Sequence, residues 1–312
     1  MDKKIKPKTT SPAQIAQRKG KPGITKLKVN EPAELMDFLM AKMGGMSRNA
    51  VKSLLSHRQV MVNNRVESQY NFALKQNDLI TISSSKSSPE LKHPKLRIIH
   101  EDNEIIVVEK KEGLLTVSTG KGEETTAFSI LKNYVKKSSM QNRIFVVHRI
   151  DRETSGVIMF AKERHVQLVL QENWHEIITR RTYIALVEGK VEKNSDTIKT
   201  YLTENEKSTK MHSSNTDNGG QLAVTHYKVL KSNDHFSLLE IELETGRKNQ
   251  IRVHMADIGH PIVGDKKYGS INSPIGRVGL HAKTLEFTHP DTQEKFRFNV
   301  DTPKVFMSVF RA

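Results

Sequence analysis

Three hundred and twelve residues, with 50 lysines and arginines against 35 acids and a formal net charge of +15, are enough for two domains and at least one sizeable core. The absence of cysteine excludes disulfides, thiolate zinc sites, iron–sulfur clusters and cysteine nucleophiles. The longest apolar runs, Ile105–Val108 and Val157–Ala161, fall far short of the ~18 residues of a membrane-spanning helix.

More than half of the charge excess lies in residues 1–30, which hold nine basic residues and one acid. This segment is rich in Lys, Pro, Thr and Gly, and is expected to be a disordered basic tail, because it cannot bury enough surface to offset its ordering entropy. Its start, MDKKIKPKTT, has no apolar stretch of the kind a secretory signal carries, so a cytoplasmic location is expected. A cationic arm attracts phosphate backbones, although a solubilising tail has the same composition.

A compact module is expected over 31–83. Leu35, Phe38, Leu39 and Met43 recur at helical spacing before the Gly44-Gly45 break, and Ser47 suits the N-cap of a second helix carrying Val51, Leu54 and Leu55. Asn63-Asn64 suits a hairpin turn within QVMVNNRVE, and LITIS (79–83) reads as a further strand. Residues 84–94, Ser-rich and ending at Pro94, read as a linker.

From residue 95 to 312 strand patterns dominate: LRIIHED, NEIIVVEK, NRIFVV, GVIMFAK, TYIALVEG, AVTHYKVL, FSLLEIELE and LHAKTLEFTH. Helical patterns intervene near 126–136, 164–178 and 248–259. The predicted class is α+β, with a mixed, largely antiparallel sheet and flanking helices, beside a small α/β module.

Four clusters carry the chemistry. HRIDRETSG (148–156) interrupts two apolar strands, so its charges sit on a turn at a sheet edge. A carboxylate among arginines, Asp151 between Arg149 and Arg152, suits a nucleophile or a stabiliser of an electron-poor sugar carbon. The same nine residues equally suit a turn held by an Asp–Arg salt bridge. In RTYIALVEG (181–189), Tyr183 begins an aliphatic strand, a position more often taken by a core aromatic. In the segment from Glu244 to Gly269, Ile251, Met255 and Ile258 form a buried helical stripe. Arg252 lies beside it and needs a partner, expected to be an aspartate from elsewhere in the chain. LHAKTLEFTHP (280–290) completes the set. His254, His260, His281 and His289 follow no metal-ligand spacing, and no metal site is expected.

In this order the clusters resemble the RluA-type family of pseudouridine synthases. Its HRLD motif is matched by His148-Arg149-Ile150-Asp151 with Thr154-Ser155-Gly156, and its basic-x-Tyr strand by Arg181-Thr182-Tyr183. Its G-R-x-x-Q-I-R-V-H helix is matched from Gly246 to His254, its G-H-P-I-x-G-D-x-x-Y-G run from Gly259 to Gly269, and its L-H-A by Leu280-His281-Ala282. Ile150 departs from the usual leucine, and Lys248-Asn249 from a common Thr-His. The resemblance covers about 95–312. Residues 33–83 resemble the small RNA-binding domain first recognised in ribosomal protein S-four, in which Arg48, Lys52, His57, Arg58 and Arg65 would face RNA.

The resemblance implies the pseudouridine synthase fold and isomerisation of specific uridines in structured RNA, with ribosomal RNA favoured and transfer RNA an alternative. It implies Asp151 as the essential carboxylate, Arg252 as its partner, Tyr183 stacked on the target base, and Arg149 filling the place of the flipped nucleotide. No cofactor, metal, membrane or protein partner is implied. Two other readings compete with it. One is a non-enzymatic RNA-binding assembly factor on a degenerate synthase fold. The other is a hydrolase using His148, Asp151 and Ser155, which are crowded into a single turn.

Overall fold

A computed structural model describes residues 24–44, 46–56, 59–63, 65–83, 91–118, 120 and 124–311. The described residues form two compact units, one over 24–83 and the other from Leu91 onward, apart from Lys137–Ser139.

The first unit holds β1 (Ile24–Lys28), β2 (Ala33–Glu34), α1 (Leu35–Lys42), α2 (Arg48–Ser56), β3 (Val60–Val62), β4 (Arg65–Val66), β5 (Ala73–Leu74) and β6 (Leu79–Ser83). Leu35, Met36, Phe38 and Leu39 of α1 and Val51 and Leu55 of α2 are buried with Val60, Val62, Ile80 and Ile82 of the sheet. Ser47 begins α2 by accepting the Ala50 N–H at 3.2 Å. Asn63 takes φ 49°, the left-handed conformation that asparagine tolerates, and turns β3 into β4; Asn64 lies outside the described residues. His57 and Arg58 also lie outside them.

The structure corrects the reading of 1–30 as a tail throughout. Residues 1–23 lie outside the description, but Ile24–Lys28 pairs antiparallel along the whole of β6, and Val29 is fully buried. Its lysines alternate with Thr25 and Leu27, and the ladder with β6, together with half-buried Leu27 packed on the core, outweighs the local charge. The linker expected over 84–94 also ends early. Residues 84–90 are not described, and Leu91 already packs on the core of the second unit.

The second unit contains β7 (Leu96–Glu101), β8 (Ile105–Lys110), α3 (Ala127–Lys136), β9 (Phe145–Val146), β10 (Ser155–Ala161), α4 (Arg164–Glu172), α5 (Trp174–Ile177) and β11 (Ile178–Glu188). It continues through β12 (Ser195–Glu204), β13 (Met211–Ser214), β14 (Gln221–Ser232), β15 (Phe236–Leu243), α6 (Gln250–Asp257), β16 (Leu280–Thr288) and β17 (Lys295–Asn299). Among the described residues these make one eleven-stranded sheet in the order β13-β12-β14-β15-β11-β16-β10-β8-β7, with β17 on β16 and β9 on β10. Every pairing is antiparallel except β10 with β16. The fold is α+β, a mixed and mostly antiparallel sheet with few flanking helices.

Strand β16 lies between β10 and β11, and this placement builds the site. Ala282 is the register partner of Gly156 on one side and of Tyr183 on the other. Gly156 is required there: φ is +120°, and a Cβ would lie 2.0 Å from the Ala282 carbonyl oxygen. The motif serine and glycine thus seat β10 against the Leu-His-Ala strand, and the turn carrying Asp151 emerges beside Tyr183.

Candidate active site

The turn before β10 is pinned on both sides of Asp151. The Thr116 hydroxyl donates to the Ile150 carbonyl at 2.8 Å. The Arg152 carbonyl accepts from the Gly113 N–H at 2.8 Å and from Lys110 Nζ at 3.2 Å. Lys110 is fully buried and also donates to the carbonyls of Lys111 and Leu114. Burial pushes its pKa down to about 7, against the charges of Glu153, Asp151 and Glu112.

Arg252 of α6 meets this turn, and the structure adds to its expected pairing. The guanidinium grips Asp265 with two hydrogen bonds, Nε to Oδ2 at 2.6 Å and Nη2 to Oδ1 at 2.7 Å. Nη1 then reaches Asp151 Oδ2 at 3.3 Å and Asn249 Oδ1 at 3.2 Å. Asp265 is 1% exposed, whereas the Asp151 side chain is 28% exposed and opens to the cleft. Burial disfavours the charged arginine, but the hydrogen bonds and charge of Asp265, with those of Asp151, outweigh it and raise the pKa. The Tyr268 ring lies 5.0 Å from the guanidinium carbon, and the Tyr268 hydroxyl accepts from Asn249 Nδ2 at 3.0 Å.

Helix α6 is fixed in register by buried polar contacts. His254, fully buried, sits between the hydroxyls of Thr200 at 2.9 Å and Thr225 at 2.8 Å. Gln250 donates to the Val224 carbonyl and to Thr225 Oγ1. Burial pushes the His254 pKa down to about 4, so it is a neutral structural bridge at physiological pH.

Asp151, Arg252, Tyr183 and Arg149 line one cleft with Ile150, Thr154, Leu243, Arg247 and Leu280, holding about 380 Å³ of open space. Burial raises the pKa of Tyr183; Arg181 pulls it the other way and the Asp151 charge adds to the rise, so the phenol stays protonated at neutral pH. Arg149 is exposed and makes no hydrogen bond or ion pair to a described residue. On the first unit, Arg48, Lys52 and Arg65 are exposed, with Arg48 and Lys52 one turn apart on α2.

The hydrolase triad does not assemble. The Met159 N–H donates to His148 Nε2 at 3.1 Å, and Ser155 Oγ pairs with His281 Nδ1 at 2.8 Å while accepting from Arg277. The four histidines of the motifs have separate partners: Thr200 and Thr225, the Glu188 carbonyl, Ser155, and Asp102. Asp102, Glu104 and His289 approach as metal ligands do. However, His289 Nδ1 faces the N–H groups of Asp291 and Thr292. An imidazole ligating through Nε2 would need its proton on that same Nδ1.

Sequence reasoning passed over Asp265 as the bidentate partner, together with Asn249, Lys110 and Arg181. The signal for Asp265 was its place in the Gly259–Gly269 motif, immediately before the short 3-10 turn Lys266–Tyr268.

Residues 104–257 match the profile of the family described as RNA pseudouridylate synthase. Over 255 residues the chain is 34% identical to the RNA pseudouridine synthase YhcT of Bacillus subtilis, covering 80% of this chain and 83% of the relative. The chain belongs to the RNA pseudouridine synthase family. It is therefore an isomerase. This synthase is also 29% identical over 280 residues to the protein named ribosomal large subunit pseudouridine synthase C of Haemophilus ducreyi, with 84% and 86% of the two chains covered. The structure of human RNA pseudouridylate synthase domain containing 4 has the same fold, with a TM-score of 0.56 and 23% identity over 67% of this chain and 90% of the human one.

Proposed function

We propose that the cleft isomerises uridine within structured RNA, with Asp151 as its catalytic carboxylate and ribosomal RNA as the substrate class. One observation carries this reading. Asp151 stands part-exposed at a cleft floor, held by one nitrogen of an arginine whose other two nitrogens are anchored on Asp265. A carboxylate aimed by so rigid a partner can act on a sugar without reorganising.

The reaction breaks the base–sugar bond and rejoins the base through carbon 5. Atoms and oxidation state are conserved, so the isomerisation calls for no cofactor. Asp151 either attacks the anomeric carbon or removes a ribose proton. Tyr183, protonated and bordering the cleft, stacks on the base; its phenol is no acceptor in that state, and the carbon 5 proton released after rejoining passes to solvent in the open cleft. A stacked uridine hides its glycosidic bond, so it must be extruded at a cost of a few kcal/mol. Arg149, exposed and without a protein partner among the described residues, fills the space left behind. Loops and bulges lower that cost and are the RNA elements proteins read best.

The similarity to the Haemophilus ducreyi protein named for the large ribosomal subunit supports ribosomal RNA over transfer RNA. In this reading the first unit is an S-four-type RNA-binding module that uses Arg48, Lys52 and Arg65, and the protein works in the cytoplasm; Arg58, assigned the same role, lies outside the described residues. Unmodified ribosomal and transfer RNA, each treated with the protein and then with a carbodiimide that marks pseudouridine, test the proposal by reverse transcription. A discrete new stop in ribosomal RNA, with the chain uncut, is expected. Cleavage, or no stop in either RNA, contradicts it.

A further inference from the structure

A second cleft adjoins the first and shares Arg149, Tyr183, Leu243 and Arg247 with it. It holds about 800 Å³ of open space, and His148, Trp174, Gln171 and Arg181 complete its polar and aromatic lining. No carboxylate stands among the described residues that line it.

Arg181 is its unusual member. It sits on β11 two residues before Tyr183 and is only partly exposed. Its guanidinium makes no hydrogen bond or ion pair to a described residue; it packs instead on the Trp174 ring, 5.5 Å from the ring centre. Burial lowers its pKa, and no carboxylate offsets that effect. A half-buried arginine without a counter-charge costs free energy in the free protein, and an anionic ligand would recover it.

The other groups around it also donate. Arg247 spends Nε on the Leu222 carbonyl, which leaves its two terminal nitrogens for a ligand. His148 accepts the Met159 N–H at Nε2 and is held neutral by burial, with a pKa pushed down to about 3, so its proton sits on Nδ1. A pocket of arginine and imidazole donors, with no acid on its described wall, is complementary to a phosphate oxygen.

We propose that this second cleft binds the phosphodiester of a nucleotide flanking the target uridine, with Arg181 and Arg247 as its ligands and Trp174 holding the Arg181 guanidinium in place. The inference rests on the uridine-isomerase reading, because the shared wall of Arg149 and Tyr183 puts the phosphate next to the reacting nucleotide. Arg181 therefore acts on placement of the strand and is not a catalytic residue.

The test uses the full chain and unmodified ribosomal RNA transcribed in vitro with uridine tritiated at carbon 5. Affinity is measured across a series of salt concentrations, and tritium release gives kcat and KM. Arg181→Met is expected to weaken binding on the order of tenfold and to load the effect mainly onto KM. It should also lower the slope of log affinity against log salt by about 0.7 to 0.9, as expected when one fewer phosphate is neutralised. Arg181→Lys keeps the charge and should restore the slope. Gly246→Ala is an independent variant: its Cβ would come 2.8 Å from Arg181 Nη1 and displace the guanidinium without altering net charge. It should raise KM in the same sense, and it keeps the test open if Arg181→Met unfolds. An unchanged slope and KM in both folded variants, with wild type active, overturns this inference alone. No tritium release by wild type overturns the isomerase reading instead.

Discussion

Arg252 holds two carboxylates at once, and they have different consequences. Asp265 is buried and doubly bonded to it, whereas Asp151 is part-exposed and meets a single nitrogen. Removing a partner from a buried pair leaves an uncompensated charge, at a cost of about 3–5 kcal/mol. Asp265→Ala should therefore lower stability in urea denaturation by about 3 kcal/mol and cut kcat as well, since Arg252 loses its aim. Equal stability of Asp265→Ala and wild type would show that Asp265 is not the anchor. Lys110 gives a pH-dependent counterpart. Its pKa is about 7 in the folded chain against the ordinary lysine value of 10.5, so between those values the unfolded chain binds the additional proton. Stability then rises with pH across that window, and the cost of charging Lys110 is fully present below about pH 7. The stability of wild type relative to Lys110→Met should shift in favour of wild type between about pH 7 and about pH 9.5. A difference independent of pH would contradict it.

The β10–β16–β11 junction is the element on which the site depends. Gly156→Ala forces a Cβ into the Ala282 backbone at a positive φ, and should destabilise the protein by at least about 2 kcal/mol in thermal or urea melts. A neutral effect would mean that β10 and β16 can separate without cost. Elements such as this were legible in the sequence because Val157–Ala161 and Ile105–Val108 are short apolar runs containing β-branched residues. Strand β12, SDTIKTYLTE, was not: only Thr200 and Leu202 are buried along it, and its ladder with β14 carries what its sequence lacks. The Ile24–Lys28 strand was hidden in the same way by its lysines. At the site, Asp151, Tyr183, Arg149 and Arg252 were legible because each stands in a spaced motif, and the structure places all four on one cleft. Asp265 was passed over as a partner because the chain offers other aspartates and only the turn after Gly264 shows which one faces α6. Arg181 stood in the basic-x-Tyr motif without a role, and Trp174 in no motif, because a basic residue in a strand and a lone tryptophan are ordinary until a pocket connects them.

At the scale of the whole molecule, the +15 charge implies RNA binding that weakens steeply with salt. The proposed division of labour assigns part of that binding to the first unit, through the exposed Arg48 and Lys52 of α2. Replacing both with glutamate should reduce affinity for ribosomal RNA and lower the salt slope by about one for each phosphate that is no longer neutralised. An unchanged slope would remove α2 from the RNA surface.

If Asp151 performs the chemistry, tritium release from carbon 5 of uridine in ribosomal RNA reads it directly. With enzyme in excess over RNA, the wild type should release tritium. Asp151→Ala, shown by circular dichroism to be folded and by filter binding to hold the RNA, should release none. Release by the folded Asp151→Ala protein at the wild-type rate would show that a group other than Asp151 performs the chemistry.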